Sequence, residues 1–161
     1  MQKFNTVIVG GGAAGIVAAI SARRRGVTVA VCDRLPKLGK KILASGNGRC
    51  NLLNDRLGEA FYNQSAHSLV KSIFEKFGKE KMLDFFKGLG LEVYSEDGRI
   101  FPRTNQSSSV LKVLEMELAR LSVHVELNFE VKGILHSAGK FTITSKGGKA
   151  LECEKLIIAG G

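Results

Sequence analysis

Apolar and polar positions change their period several times along the chain, and each change marks an element. Phe4 to Val9 is a short β-branched run ended by glycine, which predicts a buried strand. A helix is predicted from Ala13 or Ala14 through Ile16, Val17, Ala19 and Ile20. Arg23, Arg24 and Arg25 fall in its last turn, where cations suit the negative end of the helix dipole, and Gly26 is the stop. Val27 to Cys32 reads as a second apolar strand, followed at once by Asp33. A strand, a helix and a strand within about 30 residues have the size of a βαβ crossover.

From Leu35 to about Asp55 the periodicity is lost in a stretch rich in glycine and lysine, longer than a mere connector. Helical spacing returns with Leu69, Val70, Ile73, Phe74 and Phe77, and again with Met82, Leu83, Phe85 and Phe86. The four phenylalanines at this spacing are expected in the core. Leu91 to Phe101 predicts a hairpin turning at Asp97-Gly98, and Val110 to Leu121 a helix capped by Ser107 to Ser109. Val123, Val125 and Leu127 alternate with His124 and Glu126, a half-buried strand with His124 facing outward. Phe129–Leu135, Phe141–Thr144 and Ala150–Cys153 predict an antiparallel meander, its second turn at Gly147-Gly148. Leu156 to Ala159 is then a separate buried strand running into Gly160-Gly161. Ending on that strand suggests the front part of a longer protein.

The length, 161 residues, suits one domain. Nineteen glycines exceed the usual ~7%, and they cluster, as backbone does where it turns tightly or meets a ligand. The longest uncharged run, Phe4 to Ala22, is interrupted by glycines and polar residues, so no membrane span is expected. Lys3 followed by that run also imitates a secretory signal, an alternative to the strand–turn–helix account. Cys32, Cys50 and Cys153 are odd in number and lack CxxC spacing, so neither a disulfide framework nor a zinc site is suggested, and a reducing, cytoplasmic compartment is expected. The net charge of +9 invites a nucleic-acid reading. Its lysines and arginines are spread along helix faces with few interleaved aromatics, which favours positive potential near an anionic small ligand instead.

Gly10-Gly11-Gly12-Ala13-Ala14-Gly15 reads as G-x-G-x-x-G, with a strand before it and a helix after it. Gly10 would make the tight turn, Gly12 would let a pyrophosphate approach without a Cβ in the way, and Gly15 would let helix and strand pack closely. The first helical amides, at Ala13 and Ala14, lack internal partners and would face the phosphate. Asp33 ends the next strand, where a carboxylate accepts hydrogen bonds from a ribose diol; Arg34 beside it keeps an NADP variant open. Capping the strand end is the alternative role for Asp33.

A second glycine region, Gly39 to Asn51, carries Lys40, Lys41 and Arg49 together with the amides of Asn47 and Asn51. These groups suit a further anionic or polar part of an extended cofactor, or else a flexible basic loop. Val7–Gly15 with Asp33, Gly39–Asn51 with its string Ser45-Gly46-Asn47-Gly48-Arg49-Cys50-Asn51, Asp97–Pro102 and Leu156–Gly161 resemble, in that order, a family of bacterial flavoproteins. These are NAD(P)/FAD-dependent, aminoacetone-oxidase-like oxidoreductases with a glutathione-reductase-type FAD domain. The resemblance implies FAD as cofactor. It places the pyrophosphate on Gly10 to Gly15, the adenosine ribose on Asp33, and Lys40 with Asn47, Gly48, Arg49, Cys50 and Asn51 along phosphates, ribitol and flavin. It also places adenine at Val131, and Ala159 and Gly160 at a second glycine turn beside the cofactor. Family members are longer, so a substrate domain and a last FAD segment are expected beyond residue 161.

Cys50 has no CxxC partner, so packing is preferred over redox chemistry. His67, His124 and His136 are too widely spaced for a metal site. Arg99 and Arg103 flank the hairpin and are candidates to steer an anionic substrate. The expected fold is a three-layer α/β, Rossmann-like FAD/NAD(P)-binding domain over residues 1–161, a parallel sheet plus an antiparallel β-meander, with a helix-and-hairpin excursion at 55–122. The expected function is hydride transfer between a small organic substrate and FAD, with NAD(P)H as a candidate reductant and no nucleic-acid or membrane partner. No residue stands out as a general acid or base. Two alternatives stay open: an NAD-binding dehydrogenase domain, and a non-catalytic basic module that binds partners or nucleic acid.

Overall fold

Gln2–Val9 forms strand β1, and its Val7 and Ile8 are wholly buried on opposite faces of a sheet. Helix α1, Ala13–Arg23, follows, with Gly15, Ile16, Ala19 and Ile20 inward. Its C-terminus is closed by Gly26 at φ +85. Strand β2, Val29–Cys32, lies parallel to β1 and is buried throughout. The strand–helix–strand unit is therefore present as read, with β2 starting two residues later than expected. The computed structural model describes all of residues 1–161.

The chain divides into two compact units. The first comprises Met1–Ile42 and Leu114–Gly161. Its sheet has six strands in the order β6-β2-β1-β9-β8-β7, where β6 is His124–Glu126, β7 Val131–Ser137, β8 Lys140–Ser145 and β9 Ala150–Ile158. Strands β6, β2, β1 and β9 run parallel, and β8 and β7 continue the sheet antiparallel as the meander. β9 is one nine-residue strand where the sequence pattern suggested two, because it pairs with β8 near its start and with β1 along most of its length. Val7, Ala30, Cys32, Phe129, Ile143, Leu151 and Cys153 form the core on one face. His124 is half-buried rather than outward, its ring 5.2 Å from that of Phe4 and its Nε2 3.2 Å from Glu126.

The second unit, Leu43–Val113, holds a three-stranded antiparallel sheet, β3-β5-β4, with β3 at Leu53–Asn54, β4 at Val93–Glu96 and β5 at Arg99–Pro102. Asp97 and Gly98, both at positive φ, close the expected hairpin. Helices α3, His67–Lys76, and α4, Lys79–Lys87, occupy the segments with helical spacing. The phenylalanines do not form the expected core: Phe77 is 59% exposed, Phe74, Phe85 and Phe86 are half-buried, and Leu69 and Ile73 also face solvent. Helix α5, Ser107–Arg120, begins three residues before the apolar run. Its serines lie inside the helix rather than capping it, and the Ser107 hydroxyl donates to the Leu43 carbonyl. A short helix α2, Lys40–Ala44, breaks the loop read at 35–55. No helix is long and apolar enough to cross a membrane.

Candidate dinucleotide-binding site

In the first unit the turn from β1 to α1 is made of glycines with different reasons to be glycine. Gly10 sits at φ +113, and a Cβ there would run into the Ala159 carbonyl of β9's end. A Cβ on Gly15 would strike the Gly10 carbonyl, so helix and turn touch backbone to backbone. Gly12 is unlike both. It is the N-cap of α1 at φ −80, ψ −173, a conformation open to any residue, and a Cβ there would meet nothing within 4 Å. The fold gives no reason for its lack of a side chain. No side chain caps α1 and its first turn carries no acid, while Ala13 and Ala14 are exposed beside it. Bare amides, the positive end of the helix dipole and free space above Gly12 together suit an anion. These residues fit a dinucleotide diphosphate.

Asp33 is half-buried at the end of β2 and already engaged. Its Oδ2 accepts the Gly11 amide at 2.6 Å, and its Oδ1 accepts the Leu35 amide at 2.8 Å. The Gly11 carbonyl in turn accepts the Gly39 amide at 2.8 Å. The sequence assigned no role to Gly11, the residue that Asp33 grips. Each carboxylate oxygen keeps a further lone pair for another donor. Arg34 and Lys40 are exposed, and Lys41 lies with its ammonium against Gly161. The Ala159 amide donates to the Val9 carbonyl at 2.7 Å, which sets Ala159 and Gly160 against Gly10. Val131 opens β7 half-buried and packs on the core; two residues earlier, the Phe129 amide donates to the Asp33 carbonyl at 2.8 Å. Cys32, next to Asp33, is not a reactive thiol: burial first, and then the Asp33 carboxylate, push it up to about 11.

In the second unit, residues 45–51 form a wound loop in which Gly46, Asn47, Gly48 and Cys50 all have positive φ. The side chains sort by direction. Asn47 and Asn51 are exposed, as is the backbone of Gly48, whereas Cys50 is buried. The Arg49 and Cys50 amides close the loop on itself, donating to the carbonyls of Gly46 and Ser45 at 3.0 and 3.1 Å. Arg49, expected along the cofactor, has partners within the protein. Its guanidinium lies 4.1 Å from the centre of the Phe101 ring, donates to Tyr94 Oη at 2.6 Å and Asn105 Oδ1 at 3.0 Å, and pairs with Glu96. The hydrogen bond from Arg49, helped by Tyr94, holds the Glu96 carboxyl below its ordinary range. Within the protein, Arg49 fastens the loop and Cys50 packs beneath it. The signal for this was Phe101 and Glu96, about fifty residues away in the chain and out of reach of any local reading. Arg99 and Arg103 are exposed at the hairpin, Arg103 at 4.0 Å from Glu92.

Comparison with known proteins bears on both units. A family model described as the HI0933-like protein Rossmann domain matches residues 4–161. The chain belongs to the HI0933-like family. It is 40% identical over 156 residues to a 3-dehydro-bile acid delta(4,6)-reductase of Clostridium scindens, an alignment covering 96% of this chain and 38% of that protein. It is 30% identical over 162 residues to a ribosomal RNA dihydrouridine synthase of Escherichia coli, covering 100% of this chain and 40% of that one. The chain thus spans about two fifths of the length of these relatives. Among solved structures, a 3-ketosteroid-delta4-(5alpha)-dehydrogenase of Rhodococcus jostii superposes with a TM-score of 0.74 at 14% identity, covering 99% of this chain and 46% of that one. At that identity the likeness shows the fold alone, in keeping with the Rossmann domain that the family model describes.

Proposed function

We propose that this HI0933-like chain is the FAD-binding part of a flavin-dependent oxidoreductase that passes hydride between a small organic molecule and FAD, with NAD(P)H as reductant where the molecule is reduced and oxygen or another acceptor reoxidising the flavin where it is oxidised. The observation that carries the reading is Gly12 at the N-terminus of α1, which no side chain caps: a glycine that neither its backbone angles nor its protein neighbours require. In this reading Gly12 and the amides of Ala13 and Ala14 receive the diphosphate, and the remaining lone pairs of Asp33 accept from the adenosine ribose. Gly10, Gly15, Ala159 and Gly160 fix the backbone around them. Arg34 and Lys40 contribute positive potential, and the Val131 backbone borders adenine. In the second unit, Asn47, Gly48 and Asn51 are the groups we assign to the flavin. When bound, the isoalloxazine supplies the redox chemistry; the chain's residues hold and orient it. No general acid or base of this chain enters the reading.

A small, largely apolar substrate is supported by the bile-acid reductase relative. The net charge of +9 and the relative named for ribosomal RNA favour a second reading, in which the reduced group is an RNA base. We favour the first because the more similar relative supports it, and with it no nucleic-acid or membrane partner. Three free buried cysteines accord with a cytoplasmic setting. Visible absorption of the purified protein after dialysis tests the cofactor. A retained flavin band supports the proposal; a colourless protein that retains NAD contradicts it. Salt-sensitive RNA binding with no dependence on nucleotide would favour a basic module instead.

A further inference from the structure

Asp33 has two candidate duties, and the geometry separates them. A carboxylate that only receives a sugar needs no fixed partner within the protein. Here Asp33 is held on every side: its amide donates to the Glu126 carbonyl at 3.0 Å, its carbonyl accepts from Phe129 at 2.8 Å, and its two carboxylate oxygens accept from Gly11 and Leu35. The Gly11 peptide is gripped at both ends, its N–H by Asp33 Oδ2 at 2.6 Å and its C=O by the Gly39 amide at 2.8 Å. Leu38 closes the third side, since a Cβ on Gly11 would collide with the Leu38 side chain and lie 3.2 Å from Asp33 Oδ2. Gly11 is the residue before Gly12, so whatever fixes its peptide plane fixes the entry to α1. A hydrogen bond to a full negative charge is the strong kind, suited to holding a peptide in one orientation.

We propose that Asp33 is a positioning residue for the phosphate turn: by clamping the Gly11 amide it sets the direction of the Gly12 to Ala14 backbone, independently of any contact with ribose. This rests on the dinucleotide reading given above. It makes a prediction whose sign differs from simple electrostatics. Removing a negative charge beside an anion site should tighten anion binding if charge were all that mattered. Loss of positioning should weaken it.

The test compares ADP with 2′,3′-dideoxy-ADP, which carries the same diphosphate and no ribose diol, on the wild-type protein and on Asp33→Asn by calorimetry. An amide side chain keeps one acceptor for two donors, so either Gly11 or Leu35 loses its partner. Positioning predicts that Asp33→Asn weakens both ligands about tenfold, the low end of what losing an outer-shell partner costs a bound ion. A loss confined to ADP, or dideoxy-ADP bound as tightly as or more tightly than by wild type, overturns the proposal. So does a wild type that binds ADP and fails to bind dideoxy-ADP, because the diol would then carry the site. A wild type that binds neither ligand removes the dinucleotide reading itself, and the proposal with it. Asp33→Ala, which leaves both the Gly11 and Leu35 amides without their acceptor, completes the series, with its melting curve reporting whether it is folded. It should weaken dideoxy-ADP at least as much as Asp33→Asn does, and dideoxy-ADP bound by folded Asp33→Ala as tightly as by wild type counts against positioning.

Discussion

Single residues carry the main contrasts. Gly10 and Gly12 stand two positions apart in one turn, yet only Gly10 is demanded by the fold. Gly10→Ala places a methyl group against the Ala159 carbonyl at a φ of +113, and we expect a loss of about 2–3 kcal/mol of stability from overpacking and backbone strain. Urea unfolding measures it, and an unchanged midpoint would refute the packing account. Glu117 is a second case. It is buried on α5, where its carboxylate accepts two bonds from Arg120, at 2.6 and 2.9 Å, and two from Arg24, at 2.7 and 2.9 Å. Arg120 first and then Arg24 bring its pKa from 4.5 down to about 2. Because the folded value is the lower one, the stabilisation is complete above pH 4.5 and is lost as the pH falls through about 2, roughly 3 kcal/mol in all. Glu117→Gln should therefore flatten the acid limb of the stability curve between those two values, and a variant with the wild-type acid limb would contradict the assignment. The sequence announced the glycine turn and Asp33. It did not announce Glu117, because Arg24, the partner beyond its own helix, lies 93 residues away at the end of α1.

At the scale of elements, what local periodicity controls was legible and what distant contacts control was not. The strand, the glycine turn and α1 follow from the β-branched run, the missing side chains and the apolar spacing after them. The hairpin at Asp97-Gly98 follows from two residues tolerant of positive φ. β9 was misread as two strands because Glu154 and Lys155 interrupt its apolar run; both are exposed, and the backbone pairs with β1 regardless. The loop at 45–51 was legible in its glycines alone. Asn47 and Cys50 at positive φ are held by a guanidinium stacked on Phe101, and such strain persists only where the surroundings over-determine it. Replacing that guanidinium by an ammonium, in Arg49→Lys, removes the stack and the forked contacts. Amide exchange across residues 45–51 should then accelerate while exchange in β1 and β2 stays as it was. Unchanged protection of the loop would mean that Arg49 does not fasten it.

For the whole molecule, the six-stranded mixed sheet, the family match over residues 4–161 and the bare end of α1 support one proposal, that Gly12 receives a dinucleotide's diphosphate. Fold class and family were readable because the glycine strings are short-range backbone requirements. The substrate was not, because no short-range backbone requirement of this kind encodes it. Gly12→Val is the most direct test, since the conformation at residue 12 accepts a side chain and a Cβ there meets no protein atom within 4 Å. Titrated with FAD and followed by flavin fluorescence, the variant should lose binding by at least about a hundredfold, as a buried steric block in place of a phosphate requires, while its melting temperature stays at the wild-type value. FAD bound by Gly12→Val as tightly as by wild type would contradict the account.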